Sequence, residues 1–180
     1  MVVKIPLIAF LIFALQASAS RDDVVAVVNL RNVKRSEAPN GNALADRVLH
    51  DLLNDYREKH RIRPAKREIR QVQQRGGAPQ IDAATAEEFL TAFKVDQALW
   101  AQYGGRVVIR KFGPTPIDAY RRLLEDAQKR GAFTIVDKSF EADFWRAVAV
   151  GDHADLMDEA RARTMMTAPW WLDSADMRAD

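Results

Sequence analysis

Apolar residues recur along this chain with two different periods. Residues 24–28, Val-Val-Ala-Val-Val, form an unbroken and mostly β-branched run that predicts a buried strand. Residues 29–35 then read as a turn or short hairpin, and Asn40-Gly41-Asn42 is a second break. From there the spacing turns helical. Leu44, Val48, Leu49, Leu52, Leu53 and Tyr56 lie opposite a charged face and predict a helix over 43–60. Pro64 suits the first turn of a shorter helix to about Gln74. Gly76-Gly77 with Pro79 marks a flexible connection.

The second half of the chain is punctuated more sharply. Thr85-Ala86-Glu87-Glu88 has a capping-box pattern and opens a long helix to about Tyr103, with Phe89, Phe93, Leu99, Trp100 and Tyr103 on one broad face. Gly104-Gly105 ends it. Residues 106–112 are extended. Thr115 and Pro116 supply the cap and first-turn proline of a helix to about Arg130, which buries Ile117, Tyr120, Leu124 and Ala127 and stops at Gly131. Residues 133–136 are again extended. A helix over 139–150 carries Phe140, Phe144 and Val148, an acidic helix follows Gly151 to about Met166, and Pro169-Trp170-Trp171 closes the ordered part. The pattern predicts a mainly α fold, a compact helical domain of five to six helices with two or three short β-strands. Residues 24–28 and 107–109 are candidates to pair in a small sheet. There is no internal repeat and no low-complexity tract.

The first residues have a different logic. Lys4 gives a short positive start, residues 5–15 an uncharged apolar run, and Ala17-Ser18-Ala19 a small-x-small site, so residues 1–19 read as a cleavable secretory signal peptide. A membrane anchor is the rival reading, but the run is shorter than the ~20 apolar residues a spanning helix needs. No Cys follows it, which excludes a lipoprotein. The mature chain is expected to begin at Ser20 and to form a single helical domain over 20–180, with a C-terminal extension from about 151. The expected compartment is the periplasm.

Composition then narrows the chemistry. The chain has 180 residues, 27 Lys+Arg against 25 Asp+Glu, and no Cys, so it has no disulfide framework, zinc-thiolate site or cysteine nucleophile. It is too short for a barrel enzyme of ~250 residues. The histidines, His50, His60 and His153, are not spaced to chelate a metal from one helix. No Gly-x-Ser-x-Gly is present, and Ser36 and Ser139 read as turn or cap residues. No catalytic residue, metal or cofactor is assigned.

Four features remain. Asp96 falls amid the apolar face of its helix, where a carboxylate must be paired or have a raised pKa. It is either a general acid or base, or a buried partner for an arginine such as Arg106 or Arg110 or for a tyrosine hydroxyl. Gly104-Gly105-Arg106 lacks the rest of a phosphate-binding loop and reads as a helix stop. Residues 57–70 hold seven cations (Arg57, Lys59, Arg61, Arg63, Lys66, Arg67, Arg70) against two Glu, a local charge of +5. That stretch is either a solvated surface or a contact for an anionic membrane surface, lipopolysaccharide or an acidic protein. Nucleic acid fits neither export nor the lack of interleaved aromatics. Trp170 and Trp171 either clip the tail to the core or form an aromatic site for peptide, and Trp145 stands off the apolar face of its helix.

Val25-Ala26-Val27-Val28-Asn29, then Val33 and Arg35-Ser36-Glu37, resembles the opening of SurA-type periplasmic chaperones. Leu30 stands where that family usually has Gly. The segment Arg61-Ile62-Arg63-Pro64-Ala65-Lys66-Arg67-Glu68-Ile69 is similar to the connection after the family's first long helix. Gly131-Ala132-Phe133-Thr134-Ile135-Val136-Asp137, followed by Phe144-Trp145, is similar to its closing strand and helix. The resemblance covers 24–150 in scattered pieces. It implies a helical chaperone domain whose crevice holds unfolded outer-membrane proteins. The 30 residues after Val150 leave no room for the parvulin prolyl isomerase domain of many members, so no isomerase residue carries over.

Together these readings predict a periplasmic, non-enzymatic, chaperone-like or peptide-binding protein that shields apolar segments of unfolded clients, with Trp145, Trp170 and Trp171 as the client contacts. The alternative is a secreted inhibitor or immunity-type protein that binds one folded partner through the basic 57–70 surface.

Overall fold

The computed structural model describes residues 23–75, 81–110, 113–149 and 156–168. The expected signal peptide at 1–19, the glycines at 76–77 and the Trp170-Trp171 pair lie outside them. The described residues are mainly α-helical, with six α-helices and five short strands. They group into two compact units, 23–48 with 128–147, and 49–127 with 148–168.

The first unit is organised by strand β1 (Val24–Val28). It pairs antiparallel with β2 (Arg31–Lys34) on one side and with β5 (Phe133–Ile135) on the other. The β-branched run explains the central position, because Val25, Ala26 and Val28 are all buried. Two consecutive residues bury because the register shifts between Val24 and Ala26, and this bulge interrupts the alternation of faces. The Val25 carbonyl then accepts from the amides of Val136 and Asp137, at 2.9 and 3.1 Å. Residues 41–48 of α1 (Gly41–Lys59) add buried Leu44, Ala45 and Val48. A 3-10 turn (Lys138–Phe140) leads into α5 (Glu141–Ala149), and Phe144 meets Phe133 with ring centroids 5.6 Å apart. Asp137 caps the turn by accepting from Ser139 N and Oγ, at 3.0 and 2.7 Å, and also pairs with Arg35. The Arg35 guanidinium lies 4.8 Å from the centroid of the Phe140 ring. One cation thus joins the end of β2 to the start of α5.

The second unit is built around α3 (Ala83–Tyr103). Its cap is Asp82, whose carboxylate accepts from Thr85 N at 2.7 Å, so the helix starts before the Thr85 that the capping-box pattern suggested. α2 (Lys66–Arg75) carries its few apolar residues three apart, and Ile69 and Val72 pack with Ala86 and Leu90 of α3. A Lys94–Glu68 ion pair of 2.9 Å joins the same two helices. Beyond Gly104, β3 (Val108–Arg110) and β4 (Gly113–Thr115) form a two-stranded antiparallel pair. The sequence pairing of 24–28 with 107–109 is therefore not formed. β1 takes 133–135 instead, and β3 takes the strand next to it in sequence. α4 (Ile117–Lys129) follows, and Asp118 in its first turn receives both the backbone amide and the guanidinium of Arg106. α6 (Glu159–Thr167) is capped by Asp158 and buries Ala162 and Met166 beside Val107, Trp100 and Met157. No described helix is long and apolar enough to cross a membrane.

Two backbone positions yield opposite expectations. The two-residue turn between β1 and β2 places Asn29 and Leu30 at φ 48° and 66°, the paired left-handed conformation of a type I′ hairpin. Asn suits it; Leu is strained there and is 96% exposed. Leu30→Gly is expected to raise unfolding stability by about 1 kcal/mol, read by urea denaturation. Gly41, by contrast, is pressed against α5. A Cβ there would lie 2.6 Å from Asp143 Cβ and from Phe140 O. Gly41→Ala is expected to cost about 2 kcal/mol in the same assay.

Candidate functional site

The second unit contains an open groove of about 580 Å³. Two helical stripes make its walls. His50, Leu53, Asn54 and Arg57 of α1 follow one another at intervals of three, one and three residues, which is one face of a helix. Ala84, Glu87, Glu88, Thr91, Ala92, Val95 and Asp96 repeat the same rhythm along α3. Tyr120 of α4 adds an aromatic ring. Leu53 is half-buried and Val95 buried, while Ala84, Ala92, Glu87 and Glu88 are exposed, so small apolar groups alternate with a charged rim.

Asp96 is the chemically distinct member. Its Oδ1 accepts a 2.5 Å hydrogen bond from the Tyr120 hydroxyl. Among the partners foreseen for a carboxylate on this face, the structure selects the tyrosine. Arg106 is committed elsewhere, with Nη2 2.8 Å from Asp118 Oδ1. Burial pushes the Asp96 carboxyl up to about 7, and the Tyr120 hydrogen bond opposes that rise. Tyr120 is itself driven well above the usual tyrosine range, by burial first and then by the Asp96 charge, so it stays the donor. The Arg106 guanidinium holds Asp118 below the usual carboxylate range against the opposing effect of burial.

The other sequence candidates are placed as follows. Arg57 lines the groove, and its guanidinium binds Glu58 at 2.8 Å. Arg63 approaches the other oxygen of Glu58 at 3.9 Å. Lys59, Arg61, Lys66, Arg67 and Arg70 are exposed and form no ion pair among the described residues. His60 stacks on Tyr56 with centroids 4.2 Å apart. Gly104 caps α3 at φ 62°, and Gly105 is packed so closely on Asp118 that a Cβ would lie 2.5 Å from its Cβ. That loop is a helix stop locked to α4, with Arg106 already occupied. Trp145, in the first unit, is half-buried, meets Phe144 edge-on at 5.1 Å, and is not among the groove residues. A second hollow of about 480 Å³ lies beside Trp100 and Met157; its one carboxylate, Glu159, pairs with Arg163 at 2.9 Å. No group of three or more metal-ligating side chains is placed to hold an ion among the described residues.

The groove stripe on α3 has no strong sequence signature, because an Ala/Glu/Thr face reads as solvated helix. Only Asp96 singles itself out from the sequence. Comparison of the chain with family models, curated proteins and solved structures finds no match.

The Asp96 environment sets a pH dependence. Its folded pKa is about 7 against an ordinary 3.8, so the folded state holds a proton that the unfolded chain has lost between about pH 4 and 7. Stability from this group is full below pH 4, falls as pH rises through that window, and is level above it. Asp96→Asn keeps an acceptor for Tyr120 and removes the charge. It is expected to match the parent near pH 4 and to exceed it by a few kcal/mol above pH 7.5, at ~1.4 kcal/mol per unit of pKa difference. Urea unfolding at the two pH values reads the difference.

Proposed function

We propose that this is an exported, non-enzymatic binding protein that shields extended polypeptide segments, as a periplasmic chaperone-like domain does for unfolded outer-membrane clients. The observation that carries the reading is the open groove between two helical stripes. The stripe from Ala84 to Asp96 spans twelve residue steps of α3, about 18 Å at ~1.5 Å per step. An extended chain advances ~3.3 Å per residue, so the stripe matches about five residues of client. Small apolar groups along the floor and charges at the rim suit adaptable contact with many sequences. The scattered resemblance to SurA-type chaperones and the signal-like residues 1–19 support the same reading.

A second reading has its own observation. Lys59, Arg61, Lys66, Arg67 and Arg70 are exposed without ion pairs among the described residues, a surface suited to an acidic folded partner of an inhibitor or immunity-type protein. Aggregation of an unfolded outer-membrane protein separates the two. Under the chaperone reading, near-stoichiometric protein suppresses light scattering. Ala92→Trp, at an exposed position in the groove, is expected to cut that suppression at least fivefold without changing the melting temperature. Charge reversal at Lys66, Arg67 and Arg70 is expected to leave it intact. Failure to suppress scattering with any unfolded client would sink the chaperone reading.

A further inference from the structure

We infer that the groove receives a basic side chain, lysine or arginine, of an extended polypeptide, with Asp96 as the anion at its floor and Glu87 and Glu88 as anions at its rim. The inference rests on the peptide-binding reading above and names the client chemistry that the same groove selects.

The charges around the groove are unbalanced. Three carboxylates line it, against Arg57 and His50. Arg57 is already engaged by Glu58, through Nε at 3.2 Å and Nη2 at 2.8 Å. His50 Nε2 lies 2.9 Å from Asn54 Nδ2, within hydrogen-bond distance. From β3, Arg110 acts on Tyr120 electrostatically without bonding Asp96. The surplus is therefore negative.

Several partly buried acids of the protein are paired with a cation, whereas Asp96, like Asp126 with Tyr103, is bonded by a tyrosine hydroxyl. Glu68 has Lys94, Asp118 has Arg106, and Asp137 has Arg35. Asp96 has a tyrosine hydroxyl on Oδ1 and no cation among the described residues. The Tyr120 hydroxyl bonds Oδ1, and no hydrogen bond from another described residue engages Oδ2. Tyr120 fixes the carboxylate's orientation while leaving its second oxygen free. Folding has already borne the desolvation of this group, so an arriving ammonium or guanidinium gains a strong partner at reduced further cost. The apolar stems of Lys and Arg also suit the Leu53, Ala92 and Val95 surface they would cross.

The test is binding of capped, fluorescein-labelled Val-Thr-Lys-Thr-Val and of the same peptide with norleucine or glutamate in place of lysine. At pH 8 and low salt the lysine peptide is expected to bind about tenfold tighter than the norleucine peptide, and the glutamate peptide more weakly than either. The lysine preference is expected to shrink between pH 8 and 5.5 as Asp96 takes up a proton. Asp96→Asn should abolish both the preference and its pH dependence. His50→Gln should preserve both, which separates Asp96 from the neighbouring histidine. Glu87→Gln with Glu88→Gln, at two exposed positions, should halve the preference or more and keeps the inference testable if Asp96→Asn fails to fold. Equal affinity for all three peptides overturns the inference and leaves the peptide-binding groove standing. No binding of any peptide overturns both. A lysine preference untouched by the Asp96 and Glu87/Glu88 variants overturns the assignment to this groove, and equally tight binding of free butylamine overturns the polypeptide as its occupant.

Discussion

One helix has to serve several faces at once, and the second unit depends on how α3 divides them. Ala86 and Leu90 are spent against α2, and Trp100 packs beside the buried residues of α6. Gln97 adds a 2.6 Å hydrogen bond to the Met166 carbonyl, which holds α6 without further apolar area. A helix of 21 residues has about six turns, and an α-helix presents only three or four side chains per face in two turns. Once these contacts are made, what remains along 84–96 is a stripe of small and polar groups. The groove is what α3 leaves uncovered, and Asp96 stands where that stripe runs into the packed end of the helix.

The same division explains what could be read from residues alone. The mainly α fold and most helix positions follow from periodicity and from punctuation such as Gly104 and Pro116, because these act locally. Starts were less legible. Asp82 caps α3 ahead of the Thr85-x-x-Glu88 pattern, and both are acceptable caps, so only the fold decides between them. Strand pairing is a long-range choice among short apolar segments of similar character. β1 takes 133–135, more than a hundred residues away, and nothing within 24–28 distinguishes that partner from 107–109. The extra strands, β2 and β4, are short and mostly polar or Gly/Pro-containing, and are held by partners rather than by pattern.

Asp96 was legible as an anomaly because a carboxylate amid Phe93 and Trp100 conflicts with simple burial. Its groove was not. Alanines at 84 and 92 and glutamates at 87 and 88 look the same on a helix that faces water and on one that faces a shallow trough. The second wall comes from α1, which lies some thirty residues earlier in the chain. A face shared by two helices exists only after folding has set them side by side.

The Asp96–Tyr120 pair also bears on what kind of chemistry the groove suits. A general acid–base site gains from two groups whose pKa values are pushed apart around the working pH, with a nucleophile or an oxyanion donor in reach. Here burial and mutual charge drive Tyr120 far above neutrality, which leaves Asp96 as the one member of the pair that titrates near it. A carboxylate that changes charge near neutral pH is a feature that acid–base sites and recognition sites share. Its hydrogen bond to Tyr120 orients it, its partial burial strengthens its field, and the open stripe beside it supplies apolar contact for whatever carries the opposite charge. The stability that this uncompensated charge costs the free protein is the free energy that a basic ligand can recover on binding.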